Sequence, residues 1–194
     1  MDLDNLNPTP QKGFFDNLGT HIIDFIQTMV VFGAIFALIY LFVAQFHKVS
    51  GNSMVPTMHD GDYLITEKIS YKLGEVKRGD MIVLKNPRDE SQDFIKRIIA
   101  LPGDTIEVEA DSVLVNGKVL KEAYLPPNTP TPSGSFLTEK NSTRAGSNQY
   151  FVMGDNRSHS SDSRAWGPIT KEEIVGRAFL RYWPLKDIGL LTDK

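Results

Sequence analysis

FIQTMVVFGAIFALIYLFVA, residues 25–44, holds no charged side chain, and after five intervening residues the chain reads Ser50-Gly51-Asn52-Ser53-Met54-Val55-Pro56-Thr57-Met58. No Asp, Glu, Lys or Arg occurs between Asp24 and Lys48. About 20 apolar residues cross a bilayer core as a helix, and this run reaches that length. A buried helix of so small a protein would show a polar stripe, which is missing here. Tyr40, Phe42 and Phe46 near the exit suit a water interface. The run is long, lacks a basic leader and is followed directly by structured sequence, so it reads as an anchor rather than a cleavable leader. A small serine in a Gly-flanked Pro-Thr turn then stands at a membrane surface.

The remaining bounds narrow the chemistry. The 194 residues suffice for one compact domain beside a membrane segment. With 21 basic and 24 acidic residues the net charge is -3, which gives no electrostatic case for nucleic acid. Cysteine is absent, so disulfides, thiolate catalysis and cysteine-based zinc sites are excluded. Orientation is weakly encoded. Asp2, Asp4, Asp16 and Asp24 outweigh Lys12 before the span, and Lys48 follows it, so flanking charge does not support a cytoplasmic N-terminus.

After the span the texture becomes β. Residues 63–67, 81–84, 94–99, 105–108, 149–153 and 176–183 are rich in β-branched and aromatic residues. Turn signals separate them at Arg78-Gly79-Asp80, Asn86-Pro87, Pro102-Gly103-Asp104 and Gly154-Asp155-Asn156. Asn116-Gly117, between apolar runs, predicts a two-residue hairpin turn. Four prolines between Pro126 and Ser135 predict an excursion without regular structure. The expected fold is mainly β, antiparallel sheets with one N-terminal transmembrane helix.

A serine nucleophile needs a group to take its proton. Of four histidines, His21 and His47 flank the span and His59 sits in a polar turn, so all three read as surface residues. His159 lies among Asp155, Ser160, Ser161 and Asp162, but a triad is defined by geometry rather than sequence proximity. Lys96 is the other candidate. Strand alternation in Asp93-Phe94-Ile95-Lys96-Arg97-Ile98-Ile99 sets it on the face of Phe94 and Ile98. An inward lysine loses hydration, its charged form is disfavoured and it becomes a neutral base. The alternative, a lysine snorkelling from an edge strand, is left open by the pattern alone.

Four collinear segments tip that balance, because together they resemble the type I signal peptidases, membrane-anchored Ser-Lys proteases. Ser53-Met54-Val55-Pro56-Thr57-Met58 is similar to the nucleophile box, and Gly61-Asp62-Tyr63-Leu64 to the strand box after it. Arg78-Gly79-Asp80 with Lys96 through Asp104 resembles the lysine box. Gly154-Asp155-Asn156-Arg157, Ser160, Asp162-Ser163-Arg164 and Trp166-Gly167 resemble the last.

The resemblance implies a tail at 1–24, a transmembrane helix at 25–46, a peptidase domain at 48–184 with a small cap at 105–148, and a tail at 185–194. Ser53 would be the nucleophile and Lys96 the base, with Ser160 hydrogen-bonded to the lysine amine. Asp155 and Arg157, with Asp162 and Arg164, would form an ion-pair scaffold. Some members carry Ser or Thr two positions before the nucleophile; this chain has Gly51, so the oxyanion would rest on the Ser53 N–H with Gly51 permitting close approach. Met54, Ile65, Leu84 and Ile98 are the guessed substrate contacts.

Neither metal nor cofactor is implied. The expected partners are preprotein signal peptides and the lipid bilayer, with no nucleic acid, and the expected state is a single-pass monomer whose catalytic domain faces the outer side of the cell membrane. Two rivals are weaker. A self-cleaving repressor should carry a DNA-binding helix-turn-helix where this chain has its apolar run. An inactive peptide-binding module would have no need of Ser53, Lys96 and Ser160 together.

Overall fold

The computed structural model describes residues 14–191, with side chains from Leu18 onward. Residues 1–13 and 192–194, most of the expected N-terminal tail and the end of the C-terminal one, lie outside the described residues. The chain divides into two units, Met1–Leu41 and Phe42–Lys194.

Among the described residues the first unit holds one helix, α1, Phe14–Phe42, whose last residue falls in the second unit. Its stretch Leu18–Phe42 is long and apolar enough to cross a membrane. At 1.5 Å per residue those 25 residues reach about 38 Å, more than a hydrocarbon core of about 30 Å. Ile22, Ile23, Val31, Phe32, Ile35 and Leu38 all stand exposed and point in different directions around the axis, so the helix is apolar on every side rather than along one stripe. Its end differs from the expectation. The helix stops at Phe42, and Ala44–Lys48 is a strand although its first residues continue the apolar run.

The second unit is mainly β, in two antiparallel sheets. The larger is built from β1 (Ala44–Lys48), β2 (Tyr63–Glu67), β3 (Met81–Asn86) and β4 (Asp89–Ala100). The smaller comes from β5 (Thr105–Glu109), β6 (Ser112–Val115), β7 (Lys118–Val119) and β8 (Thr143–Arg144). The chain then returns to the larger sheet through β9 (Gln149–Met153), β10 (Ile169–Thr170), β11 (Ile174–Trp183) and β12 (Gly189–Leu190). The larger sheet runs β1-β2-β11-β3-β4-β9-β10 with β12 beside β11, and the smaller runs β7-β6-β5-β8.

Local chemistry accounts for the turns. Asn116 and Gly117 have φ of +52° and +74°, and Val115 pairs with Lys118 across them, as a two-residue hairpin requires. Residues 126–135 contain no helix or strand.

Three apolar clusters hold the unit together. One joins the smaller sheet to β9 through Ile106, Val108, Leu137 and Phe151. A second gathers Met54, Met58, Leu64, Met81, Val83 and Ala178. The third gathers Tyr71, Ile82, Leu84, Ile98 and Val152. The second cluster roots the loop that carries Ser53.

Candidate active site

The loop from Val49 to Met58 is pinned from beneath by two methionines. Met54 and Met58 are each 1% exposed, and Met58 N–H donates to Met54 O at 2.9 Å, closing one turn. Ser53, one residue before the first peg, therefore projects from the loop while its neighbour is locked in the core. Gly51 has φ of +89°, a conformation that side chains resist, and its N–H donates to Asp60 Oδ1 at 2.8 Å. Within the protein a Cβ at Gly51 would meet no atom within 4 Å, so no packing contact requires the glycine. What glycine supplies is the backbone angle. Among the described residues the Ser53 N–H makes no hydrogen bond, so that donor stays available.

From the far end of the chain a second loop clamps the first. Asn156 N–H donates to Ser53 O at 3.0 Å and Asn156 Nδ2 to Asn52 O at 3.0 Å. Thr57 Oγ1 donates to Asp155 Oδ2 at 2.5 Å. Gly154 lets the loops meet, because a Cβ there would fall 2.3 Å from both Ser53 O and Ser160 Oγ.

Lys96 is 3% exposed on β4, and its amine sits 2.9 Å from Ser53 Oγ and 2.9 Å from Ile95 O. The ammonium lies 5.0 Å from the centre of the Phe94 ring, on the shared face that alternation predicts. Burial pulls the lysine down to about 8, against an upward pull from Asp162 and Asp155. Neither carboxylate hydrogen-bonds the amine. The neutral form offers its lone pair to the proton that the Ser53 hydroxyl must lose.

The ion pairs differ from those the resemblance implies. Asp155 does not pair with Arg157. It takes Arg97, with Nε to Oδ1 at 2.9 Å and Nη2 to Oδ2 at 2.7 Å. Arg157 pairs instead with Glu122, which reaches in from the segment after β7, and also donates to Thr131 Oγ1 at 2.9 Å. Asp162 does pair with Arg164, through bonds of 2.9 and 2.8 Å, and caps the short helix Ser163–Trp166. Arg97 went unread because its partner lies 58 residues away in sequence and meets it only when β4 pairs with β9.

Ser160 was expected to hydrogen-bond the lysine amine. Its hydroxyl is buried at Gly154 and, among the described residues, has no hydrogen-bond partner. The substrate guesses divide. Met54 lines a cleft of about 420 Å³ that also takes in Ser53 and Lys96. Leu84 and Ile98 are fully buried in the third apolar cluster, and Ile65 is half-buried on β2, so none of these three reaches it. Val49, Val83, Phe94 and Ile95 supply the apolar wall instead. Sharing a strand face with Lys96 and Phe94 does not bring Leu84 and Ile98 to the cleft, because both are packed with Ile82 and Val152 in the core. His159 also lines the cleft, and its ring bonds the neighbouring Ser158 rather than Ser53.

β4 pairs with β9 only from Arg97 onward, so its edge at residues 93–96 has no strand beside it on that side. β1, whose end leads into the Ser53 loop, is the outermost strand of the sheet. The cleft lies between these two edges.

The chain is similar to known proteins over most of its length. A family model described as "Signal peptidase, peptidase S26" matches residues 22–183. A "Probable signal peptidase I-2" of Synechocystis is 42% identical over 175 residues, which is 86% of this chain and 76% of that protein. A "Signal peptidase I" of Bacillus caldolyticus is 40% identical over 160 residues, 79% of this chain and 87% of the other. A crystal structure of a signal peptidase I from Enterococcus faecalis is 30% identical, covering 53% of this chain and 96% of that one with a TM-score of 0.45.

Proposed function

The chain belongs to the signal peptidase family of S26 peptidases, serine proteases that cleave signal peptides, and from that premise we propose that Ser53 and Lys96 are its nucleophile and general base. The observation that carries the reading is the 2.9 Å separation of Lys96 Nζ and Ser53 Oγ, around an amine that is buried and bonded to no carboxylate.

Neutral Lys96 takes the Ser53 proton as Oγ attacks the scissile carbonyl carbon. The oxyanion is met by the unengaged Ser53 N–H. Protonated Lys96 then gives its proton to the departing amine, leaving a Ser53 ester. Water attacks that ester with Lys96 again as base, which releases the acid and restores the serine. In this reading the Ser160 hydroxyl, unengaged at rest, is free to take a hydrogen bond from the lysine amine during these steps. Asp155, Arg97, Asp162 and Arg164 position the loops and touch no reacting atom.

The substrate is a preprotein lying as an extended strand in the cleft, where the free edge of β4 offers main-chain hydrogen bonds. Small residues before the cut fit the wall of Val49, Val83 and Ile95. The apolar helix anchors the protein in the membrane. In this reading residues 48–184 are the peptidase domain, a monomer on the outer face of a single-pass protein.

The test is cleavage of a synthetic preprotein by wild-type, Ser53→Ala, Lys96→Ala and His159→Ala enzyme. The first two substitutions should abolish product and the third should keep most of it. Normal cleavage by Lys96→Ala, or a dead His159→Ala, would overturn the assignment.

A further inference from the structure

The two strand edges that wall the cleft are joined at one end by side chains alone. β1 and β4 stand at opposite ends of the run β1-β2-β11-β3-β4 and share no backbone ladder. Yet His47 on β1 reaches Asp93 on β4, with Nε2 3.3 Å from Oδ2. The other imidazole nitrogen lies 2.9 Å from Thr66 Oγ1, and the other Asp93 oxygen accepts from Lys85 Nζ at 2.7 Å. One assignment satisfies every group. Thr66 O–H donates to Nδ1 and Nε2–H donates to the carboxylate, which can only accept. The His47 side chain is 12% exposed and that of Asp93 22%, so the chain of bonds is shielded but open on the cleft side.

Both residues line the same cleft as Ser53 and Lys96, and the chemistry above uses neither. Asp93 precedes Lys96 by three residues, about 10 Å along an extended strand. A substrate strand lying between the edges therefore meets the His47–Asp93 bridge about three residues from the reacting bond.

We propose that the bonded chain Thr66–His47–Asp93–Lys85 is a strap across the cleft that sets how far an extended substrate runs beyond Ser53, so that His47 and Asp93 are positioning residues for the choice of scissile bond. The inference rests on the reading of Ser53 and Lys96 as the reacting pair. It adds that a bond is selected by its distance from a fixed stop as well as by the fit of its neighbouring side chains.

The experiment uses the full chain in detergent and two preproteins, each with a second cleavable bond three residues from the authentic one, before it in one and after it in the other. Mass spectrometry gives the ratio of the two products. In one of the two preproteins, His47→Ala and Asp93→Asn should raise the share of the second product about tenfold, the worth of one charge-assisted hydrogen bond, and His47→Gln should restore the wild-type ratio. Asp93→Asn keeps shape and size, so it reports even if His47→Ala folds poorly. An unchanged ratio in both preproteins, even with a uniformly lower rate, overturns the strap and leaves the Ser53–Lys96 reading standing. A wild-type enzyme that cuts neither preprotein overturns both.

Discussion

Lys96 and Arg97 are consecutive residues of one strand, both cationic and both 3% exposed, and the protein treats them in opposite ways. Arg97 is given a bidentate carboxylate in Asp155, the carbonyl of Gly79 at 2.7 Å, and the face of Tyr124 at 3.9 Å. Lys96 is given a hydroxyl, a carbonyl and the ring of Phe94. Every partner of Arg97 favours its charge, and a guanidinium cannot shed its proton in a protein. The partners of Lys96 leave desolvation as the stronger influence, which favours the neutral amine. Burial alone does not favour a neutral form at a cationic site. Burial with the counter-charge assigned to the neighbour does.

That contrast can be broken at either residue. Lys96→Arg keeps a cation at the site but not one that can be neutral, so preprotein cleavage should fall at least about 1000-fold, as it should for Lys96→Ala. Turnover at wild-type rate in Lys96→Arg would show that the amine is not a base. On the other side of the strand, Asp155→Ala leaves Arg97 buried without its counter-charge. Removing one partner of a buried pair costs about 3–5 kcal/mol, so denaturant unfolding should shift by that order. A stability equal to wild type would mean that the pair is solvated.

Gly154→Ala adds a methyl 2.3 Å from Ser53 O and Ser160 Oγ, which pushes the Ser53 loop away from Lys96. A misplacement of this kind costs about 100-fold in kcat, measurable on the same preprotein. An unchanged kcat would show that the two loops give way freely. The mildest effect is on pH. Lys96 must be neutral to accept a proton, and its pKa of about 8 lies below the ordinary lysine value. Activity should therefore rise with pH through about 8 and level off above it. A limb centred near the ordinary lysine value would place the amine in solvent.

Much of the fold was legible in short-range chemistry. β2 and β9 coincide with the runs at 63–67 and 149–153, and the turn at Asn116-Gly117 follows from two residues that tolerate positive φ. β1 was hidden because Ala44 and Phe46 extend an apolar run whose helical part stops at Phe42. Apolarity does not distinguish the last turn of a helix from the first pairs of a strand.

The candidate site was legible where its parts announce themselves singly, as with Ser53 in its turn and Lys96 on an apolar strand. It was illegible where the meaning lies in pairing. Asp155 has three arginines among its possible partners in Arg97, Arg157 and Arg164, and only the alignment of β4 with β9 brings Arg97 to it. Strand alternation divides Leu84 and Ile98 from Val83 and Ile95, but which group meets the Ser53 loop depends on where Met54 packs.

The order β1-β2-β11-β3-β4 has a consequence in time. β2 and β3 are not neighbours; the strand between them is β11, which spans Ile174–Trp183. The ladder that joins the serine's side of the sheet to the lysine's side waits for β11, which follows both of them in the chain, and the loop clamp from Asn156 comes only shortly before it. Contacts this distant in sequence form late, after the entropy of closing a long loop has been overcome. A nascent chain still short of Ile174 thus carries Ser53 and Lys96 without the frame that brings them together. A chain truncated there should cleave nothing, so proteolytic competence is deferred until β11 has been made.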